Sequence, residues 1–169
     1  MHPVEVANIV STMSEDRELM AAAILHDTVE DTDATIEEIR DLFGTRISLL
    51  VMTDTEEKRE DLPPEETWKL RKEESLNMLE HTKDMDVKML WMGDKLSNMR
   101  SFARAYMKDG DKMWNNFHQK DPKVQAWYYA SIAKYLSVLK DYPVYKEYVA
   151  LVKYVFKDYL GDLPDEIKI

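Results

Sequence analysis

The chain has 169 residues, the size of one domain, and its 44% hydrophobic and 33% charged residues are the composition of a globular, core-forming chain. Lys and Arg number 23 against 33 Asp and Glu, a net charge of −10 that excludes the basic face needed to coat nucleic acid or bind an anionic membrane. Cysteine is absent, which excludes disulfides, thiolate nucleophiles and thiolate-held metals and fits a cytoplasmic setting, and no apolar run approaches the ~20 residues of a membrane helix.

Only four glycines and six prolines interrupt the chain, which favours long helices. Pro3 opens a short helix with Val4, Val6, Ala7, Ile9 and Val10 on its apolar side. Ser14 is placed to cap a second helix, with Glu15 and Asp16 at its positive end. That helix carries Leu19-Met20-Ala21-Ala22-Ala23-Ile24-Leu25, apolar all round and so expected to be buried. Thr35-Ile36-Glu37-Glu38 spells a capping box, and Gly44 is the stop for the helix it starts. Thr45 begins another helix with Ile47, Leu49, Leu50 and Val51 inward. Residues 54–66, with Pro63-Pro64, read as an exposed polar loop, followed by a helix from about Glu65 to Glu80. Asp84 caps the next, which runs through Val87, Met89, Leu90, Trp91 and Met92. Asp121-Pro122 is a strong start signal for two long amphipathic helices, to about Tyr142 and from Val144 to Leu160, with Gly161 as the stop. No period-two pattern persists, so the expected fold class is all-α, one helical domain over residues 1–169.

The informative segment is His26-Asp27-Thr28-Val29-Glu30-Asp31. Read as a continuous helix, it sets His26 beside Glu30 and Asp27 beside Asp31 on one side of a helix end. Three carboxylates at the C-terminal end of an apolar helix oppose the helix dipole and one another. A bound divalent metal compensates such crowding, and imidazole with carboxylate suits Mn²⁺, Fe²⁺, Co²⁺, Ni²⁺ or Zn²⁺; an acidic, solvated helix end is the plainer alternative. Asp94 follows the apolar stretch Met89-Leu90-Trp91-Met92-Gly93 and is expected to be buried, with a metal, a cation such as Arg100 or Arg104, or a buried helix N-terminus as its partner. Asn98 follows one turn later, and Gly93 lets another backbone come close. His2 is of interest because a side-chain metal site wants three or four ligands. Lys58, Arg59, Arg71, Lys72, Lys95 and Arg100 are candidates for phosphate contacts, with solvated surface as the alternative. The aromatic residues Trp114, Phe117, Trp127, Tyr128 and Tyr129 suit core packing or the lining of a substrate site. His81 and His118 lie at no helical spacing from His26, which favours one ion over two.

The spaced set His2-Pro3, His26-Asp27-Thr28-Val29-Glu30-Asp31-Thr32 and Gly93-Asp94-Lys95-Leu96-Ser97-Asn98-Met99-Arg100 resembles the HD-domain metal-dependent phosphohydrolases. Within them it is most similar to the hydrolase domain of the RelA/SpoT family and its small stand-alone relatives, over about residues 2–140. The stretch Thr35 to Gly44, and Trp68 with Arg71-Lys72, share in the likeness. The resemblance implies an HD-domain helical bundle with one divalent ion, Mn²⁺ foremost and Mg²⁺ also admissible, held by His2, His26, Asp27 and Asp94. It implies that Glu30 and Asp31 orient and activate water, and that Asn98 contacts the sugar or phosphate. The reaction it implies is loss of pyrophosphate from the 3′ position of guanosine tetra- or pentaphosphate, with a small nucleotide as partner and neither nucleic acid nor membrane. Two further readings stay open: a non-catalytic HD module that binds a nucleotide as a regulator, and an HD phosphatase acting on another nucleotide. Members of the family carry a helix ahead of the first ligand histidine, whereas this chain begins at that histidine. The amphipathic helices near the C-terminus suit a homodimer face and core packing equally.

Overall fold

In the computed structural model, which describes residues 1–57, 59 and 61–169, every regular element among the described residues is helical. The chain builds two compact units, Met1–Glu56 with His81–Ser97, and Glu57–Glu80 with Asn98–Ile169.

The first unit begins with α1 (His2–Ser11), started by Pro3, which buries Val6, Ile9 and Val10. In α2 (Arg17–Leu25) the cap is Asp16, not Ser14: its carboxylate accepts the N–H groups of Glu18 and Leu19, while the Ser14 hydroxyl accepts from Asp16 N–H. Of the apolar run in α2, Leu19, Ala22 and Ala23 are buried but Ile24 is half exposed, because the helix packs on one side only, against α1 and α5. The expected continuous helix through residue 31 breaks instead at His26–Asp27, and a one-turn helix, α3 (Thr28–Asp31), follows with Asp27 as its N-cap residue. The break moves the acids away from the negative end of α2 and sets Asp27 at the positive end of α3.

The capping box at Thr35 is present: Thr35 Oγ1 accepts from Glu38 N–H, and the Glu38 carboxylate accepts from Thr35 N–H. It starts α4 (Ile36–Phe43), which stops at Gly44 with φ +95°. In α5 (Thr45–Asp54) Ile47, Leu50 and Val51 point inward, but Leu49 is exposed, two positions off that stripe. Asp84 caps α7 (Met85–Asp109) by accepting the N–H of Asp86. Residues Leu90 to Ser97 of α7 are all buried. A Cβ on Gly93 would stand 2.8 Å from Val10 Cγ2 and 3.1 Å from the Val6 carbonyl oxygen, so glycine lets α1 lie directly on α7. Helices of nine and ten residues are marginal alone, and this packing is what holds them.

The second unit holds α6 (Pro64–His81) up to Glu80, the rest of α7, α8 (Pro122–Tyr135) and α9 (Pro143–Val155). Asp121 caps α8, which is buried at Gln125, Ala126 and every residue from Tyr128 to Ala133. It ends seven residues before the expected Tyr142 and unwinds into a 3₁₀ turn that buries Leu136 and Leu139. Similarly α9 ends at Val155, ahead of Gly161, because buried Phe156 turns the chain to stack on Trp114 at 5.3 Å. The final residues then cover α8 through Leu163 and Ile167, packed with Ala130 and Trp127. Phe102, Trp114, Phe117, Tyr129 and Phe156 form one aromatic cluster, and the hydroxyls of Tyr145 and Tyr148 donate to α8 carbonyls at 2.8 and 2.9 Å. Phe102, Trp114, Tyr129, Tyr148 and Phe156 are buried in the core, while Phe117 and Tyr145 are half-buried.

Candidate metal centre

Within the first unit four side chains from three distant places in the sequence converge. His2 opens α1, His26 and Asp27 form the break between α2 and α3, and Asp94 lies in the buried stretch of α7. His2 Nε2 is 3.2 Å from His26 Nε2, 3.0 Å from Asp94 Oδ1 and 3.5 Å from Asp27 Oδ2. His26 Nε2 is 3.0 Å from Asp27 Oδ2 and 3.5 Å from Asp94 Oδ1.

The other nitrogen of each ring decides what these atoms are. Ser97 Oγ donates to Glu5 Oε2 at 2.8 Å, so at 2.8 Å from His2 Nδ1 it accepts from the ring N–H. His26 Nδ1 lies 2.8 Å from the Ala23 carbonyl oxygen, which can only accept. Each imidazole therefore donates through Nδ1–H and turns its Nε2 to the centre, the arrangement by which outer partners orient a metal-binding histidine. The four groups crowd one another there, and either a proton on an imidazole or a bound cation relieves the crowding. Bond lengths of ~2.0–2.2 Å to a four- to six-coordinate ion set neighbouring donors about 3 to 3.6 Å apart; the separations of 3.0–3.5 Å from each imidazole to the other and to the two carboxylates fit, and His2, His26 and Asp94 form the group whose ligand atoms lie mutually close enough to share an ion. Two imidazoles with two carboxylates suit a divalent transition metal.

A proton on His26 meets the same need. Burial disfavours the imidazolium of His26, yet its hydrogen bonds to Asp27 and Asp94 outweigh burial and push it up to about 11. Burial likewise opposes ionisation of Asp94, but Lys95, His2 and His26 prevail and hold its carboxyl well below the usual range. Lys95, expected among the phosphate contacts, is turned inward: its ammonium meets Asp94 Oδ2 and lies 3.5 Å from Oδ1 of Asp54. Burial pushes the Asp54 carboxyl up to about 6 against the pull of Lys95.

Glu30 is half-buried in α3, and its Oε1 accepts the backbone N–H of Glu56; Asp31 is exposed in the same turn. The remaining expected contacts belong to the second unit. Asn98 is half-buried on α7, Arg71 bonds Thr67 Oγ1 within α6, and Arg100 grips Glu147 with two bonds of 2.7 and 2.8 Å. Lys58 lies outside the described residues. His81 ends α6, and His118 is exposed.

Sequence reasoning missed Asp54, Ser97 and Glu5. A signal for Asp54 existed: it continues the stripe Ile47, Leu50, Val51 at i+7, so an acid occupies the inward face of α5.

Residues 1–121 match the family described as HD domain. The chain is 40% identical over 102 residues to the GTP pyrophosphokinase rsh of Brucella ovis, a match covering 60% of this chain and 14% of that protein. It is 38% identical over 106 residues to the guanosine-3′,5′-bis(diphosphate) 3′-pyrophosphohydrolase MESH1 of Danio rerio, covering 62% of this chain and 55% of that one. The chain thus spans about half the length of the Danio rerio relative and far less of the Brucella ovis one. Among solved structures, lmo0812 from Listeria monocytogenes EGD-e aligns with a TM-score of 0.78 at 31% identity, covering 92% of this chain and 94% of that one. A metazoan SpoT orthologue, at 22% identity and a TM-score of 0.62, shares the fold.

Proposed function

The chain belongs to the HD-domain family, and on that premise we propose that it is a metal-dependent phosphohydrolase that removes pyrophosphate from the 3′ position of a guanosine polyphosphate, with Mn²⁺ as its ion. The observation that carries this reading is the cluster of His2, His26 and Asp94 with Asp27 beside it, in which each imidazole Nε2 lies 3.0–3.5 Å from the other and from both carboxylates while both Nδ1 nitrogens are engaged elsewhere. A divalent ion there supplies Lewis-acid neutralisation of phosphoryl oxygens and acidifies a water molecule. Glu30, three residues past Asp27 and fixed by Glu56 N–H, accepts the proton of the attacking water, and Asp31 in the same turn helps to orient that water. A site built only to bind a nucleotide has no use for these two extra acids. The names of the relatives from Danio rerio and Aquifex aeolicus support the choice of substrate, and the cysteine-free composition supports a cytoplasmic location.

The test is release of pyrophosphate from guanosine tetra- and pentaphosphate with Mn²⁺ present, beside nucleotides that lack a 3′-pyrophosphate. Turnover confined to the former, abolished by chelator and lowered at least ~100-fold in Asp27→Ala and in Glu30→Gln, is expected. Binding without turnover would turn the assignment to a regulatory module. Release of inorganic phosphate from another nucleotide would turn it to a phosphatase.

A further inference from the structure

Asp94 divides its two oxygens. Oδ1 faces His2 and His26, while Oδ2 faces the ammonium of Lys95. That ammonium is 3.5 Å from Asp54 Oδ1 and 4.6 Å from the centre of the Trp91 ring. The ring is fastened in turn, since Trp91 Nε1 donates to the carbonyl of Thr53, the residue before Asp54, at 3.2 Å. The side chains of Asp54, Asp94 and Lys95 are 3%, 5% and 11% exposed. Asp54 Oδ2 is buried and has no hydrogen-bond partner among the described residues.

Stability alone does not account for this trio. Desolvating two carboxylates and an ammonium offsets their attraction, and apolar replacements of buried ion pairs are often neutral or stabilising. The layout has a chemical counterpart. Two carboxylates flank one cation, and one of them is shared with a neighbouring cation site, as in centres where a carboxylate joins two metal ions. Here the second cation is tethered to the chain.

Resting on the reading of His2, His26, Asp27 and Asp94 as a divalent-ion site, we infer that Lys95 fills the second cation position of that site, with Asp54 as the far carboxylate, and so holds the centre to a single ion that Asp94 meets through Oδ1 alone. An ammonium excludes a second divalent ion by charge and by volume, and it leaves Asp54 and Asp94 available as oxygen donors once it is removed.

The experiment is equilibrium dialysis of the full chain against Mn²⁺ alone, with bound ion counted per folded chain and electron paramagnetic resonance recorded on the same samples. Wild type and Lys95→Arg are expected to hold one ion. Lys95→Met is expected to hold two, with the broadened spectrum of coupled Mn²⁺ ions, and the double variant Lys95→Met, Asp54→Asn to return to one. Lys95→Gln serves as a second uncharged variant read in the same way. One ion in both uncharged variants, with wild-type affinity, overturns the inference, as does a second ion that survives Asp54→Asn. Failure of both uncharged variants to fold beside a folded Lys95→Arg overturns it in favour of a counter-charge needed only for folding. A wild-type chain that holds no ion refutes the metal site itself, which is a different result.

Discussion

Two imidazole nitrogens 3.2 Å apart, each with its ring's other nitrogen committed as a donor, need a proton or a cation between them. The serine that commits one of them can be removed cleanly. In Ser97→Ala, His2 Nδ1 loses its acceptor and Glu5 loses a donor, so the ring is free to turn or to change tautomer. Outer partners of this kind are worth 10- to 100-fold in metal affinity, and a loss of about that size is expected in a Mn²⁺ titration of Ser97→Ala, with circular dichroism unchanged. An unaltered affinity would show that His2 does not depend on Ser97 for its orientation. This chain of contacts was the least legible part of the site. His26-Asp27 and Asp94 declare themselves by placing charge inside apolar sequence. Ser97 and Glu5 are ordinary polar residues whose role arises only when α1 lies on α7, 92 residues away in sequence. Lys95 was legible as a cation but not as an inward one, because that depends on α7 being enclosed on all sides from Leu90 to Ser97.

At the level of elements, the close approach of α1 to α7 is set by one glycine. Gly93→Ala gains roughly 1 kcal/mol of helix propensity. The new methyl would stand 2.8 Å from Val10 Cγ2, on a stiff, fully buried β-branched side chain, and overpacking of that kind costs about 1–3 kcal/mol. A net loss of up to about 2 kcal/mol is expected in urea denaturation. Adding Val10→Ala makes room for the methyl, so the double variant should lose less than the two single losses summed; strict additivity would deny the clash. A second element-level device is Arg46 of α5, which reaches Asp16 and Glu18 at the start of α2 and Asp86 at the start of α7, at 2.7, 2.7 and 2.6 Å. Hydrogen bonds from Arg46 and from the backbone of Leu19 and Glu18 hold the Asp16 carboxyl down at about 2. The folded value lies below the ~3.9 of an unfolded aspartate, so this contribution is complete above about pH 4 and is lost as pH falls toward 2. Asp16→Asn keeps the cap but not the titration, and its stability should fall less steeply between pH 4 and 2 than that of the wild type. The helices that begin with caps, at Thr35, Asp84 and Asp121, were legible because a cap is local chemistry. The ends of α8 and α9 were not, since burial of Leu136, Leu139 and Phe156 by distant elements decided them.

For the whole molecule, an acidic chain with net charge −10 draws cations, so specific loading has to be told apart from loose association with surface acids. Stability separates the two. The four donors come from α1, the α2–α3 break and α7, and an unfolded chain keeps only the neighbours His26 and Asp27 together. An ion that binds only the folded state adds about 2.7 kcal/mol at a hundredfold excess over its Kd. At about 2–4 °C per kcal/mol for a chain of this length, calorimetry should show Tm rising by roughly 5–11 °C when Mn²⁺ is returned to chelator-treated protein. The same concentration of Mg²⁺ should do less, because Mg²⁺ prefers an all-oxygen, largely hydrated shell to two imidazoles. In Asp94→Asn the rise should vanish, since the buried carboxylate joins the imidazole pair to Lys95 and no surface acid replaces it. An equal rise in wild type and Asp94→Asn would move the ion out of the interior and onto the acidic surface.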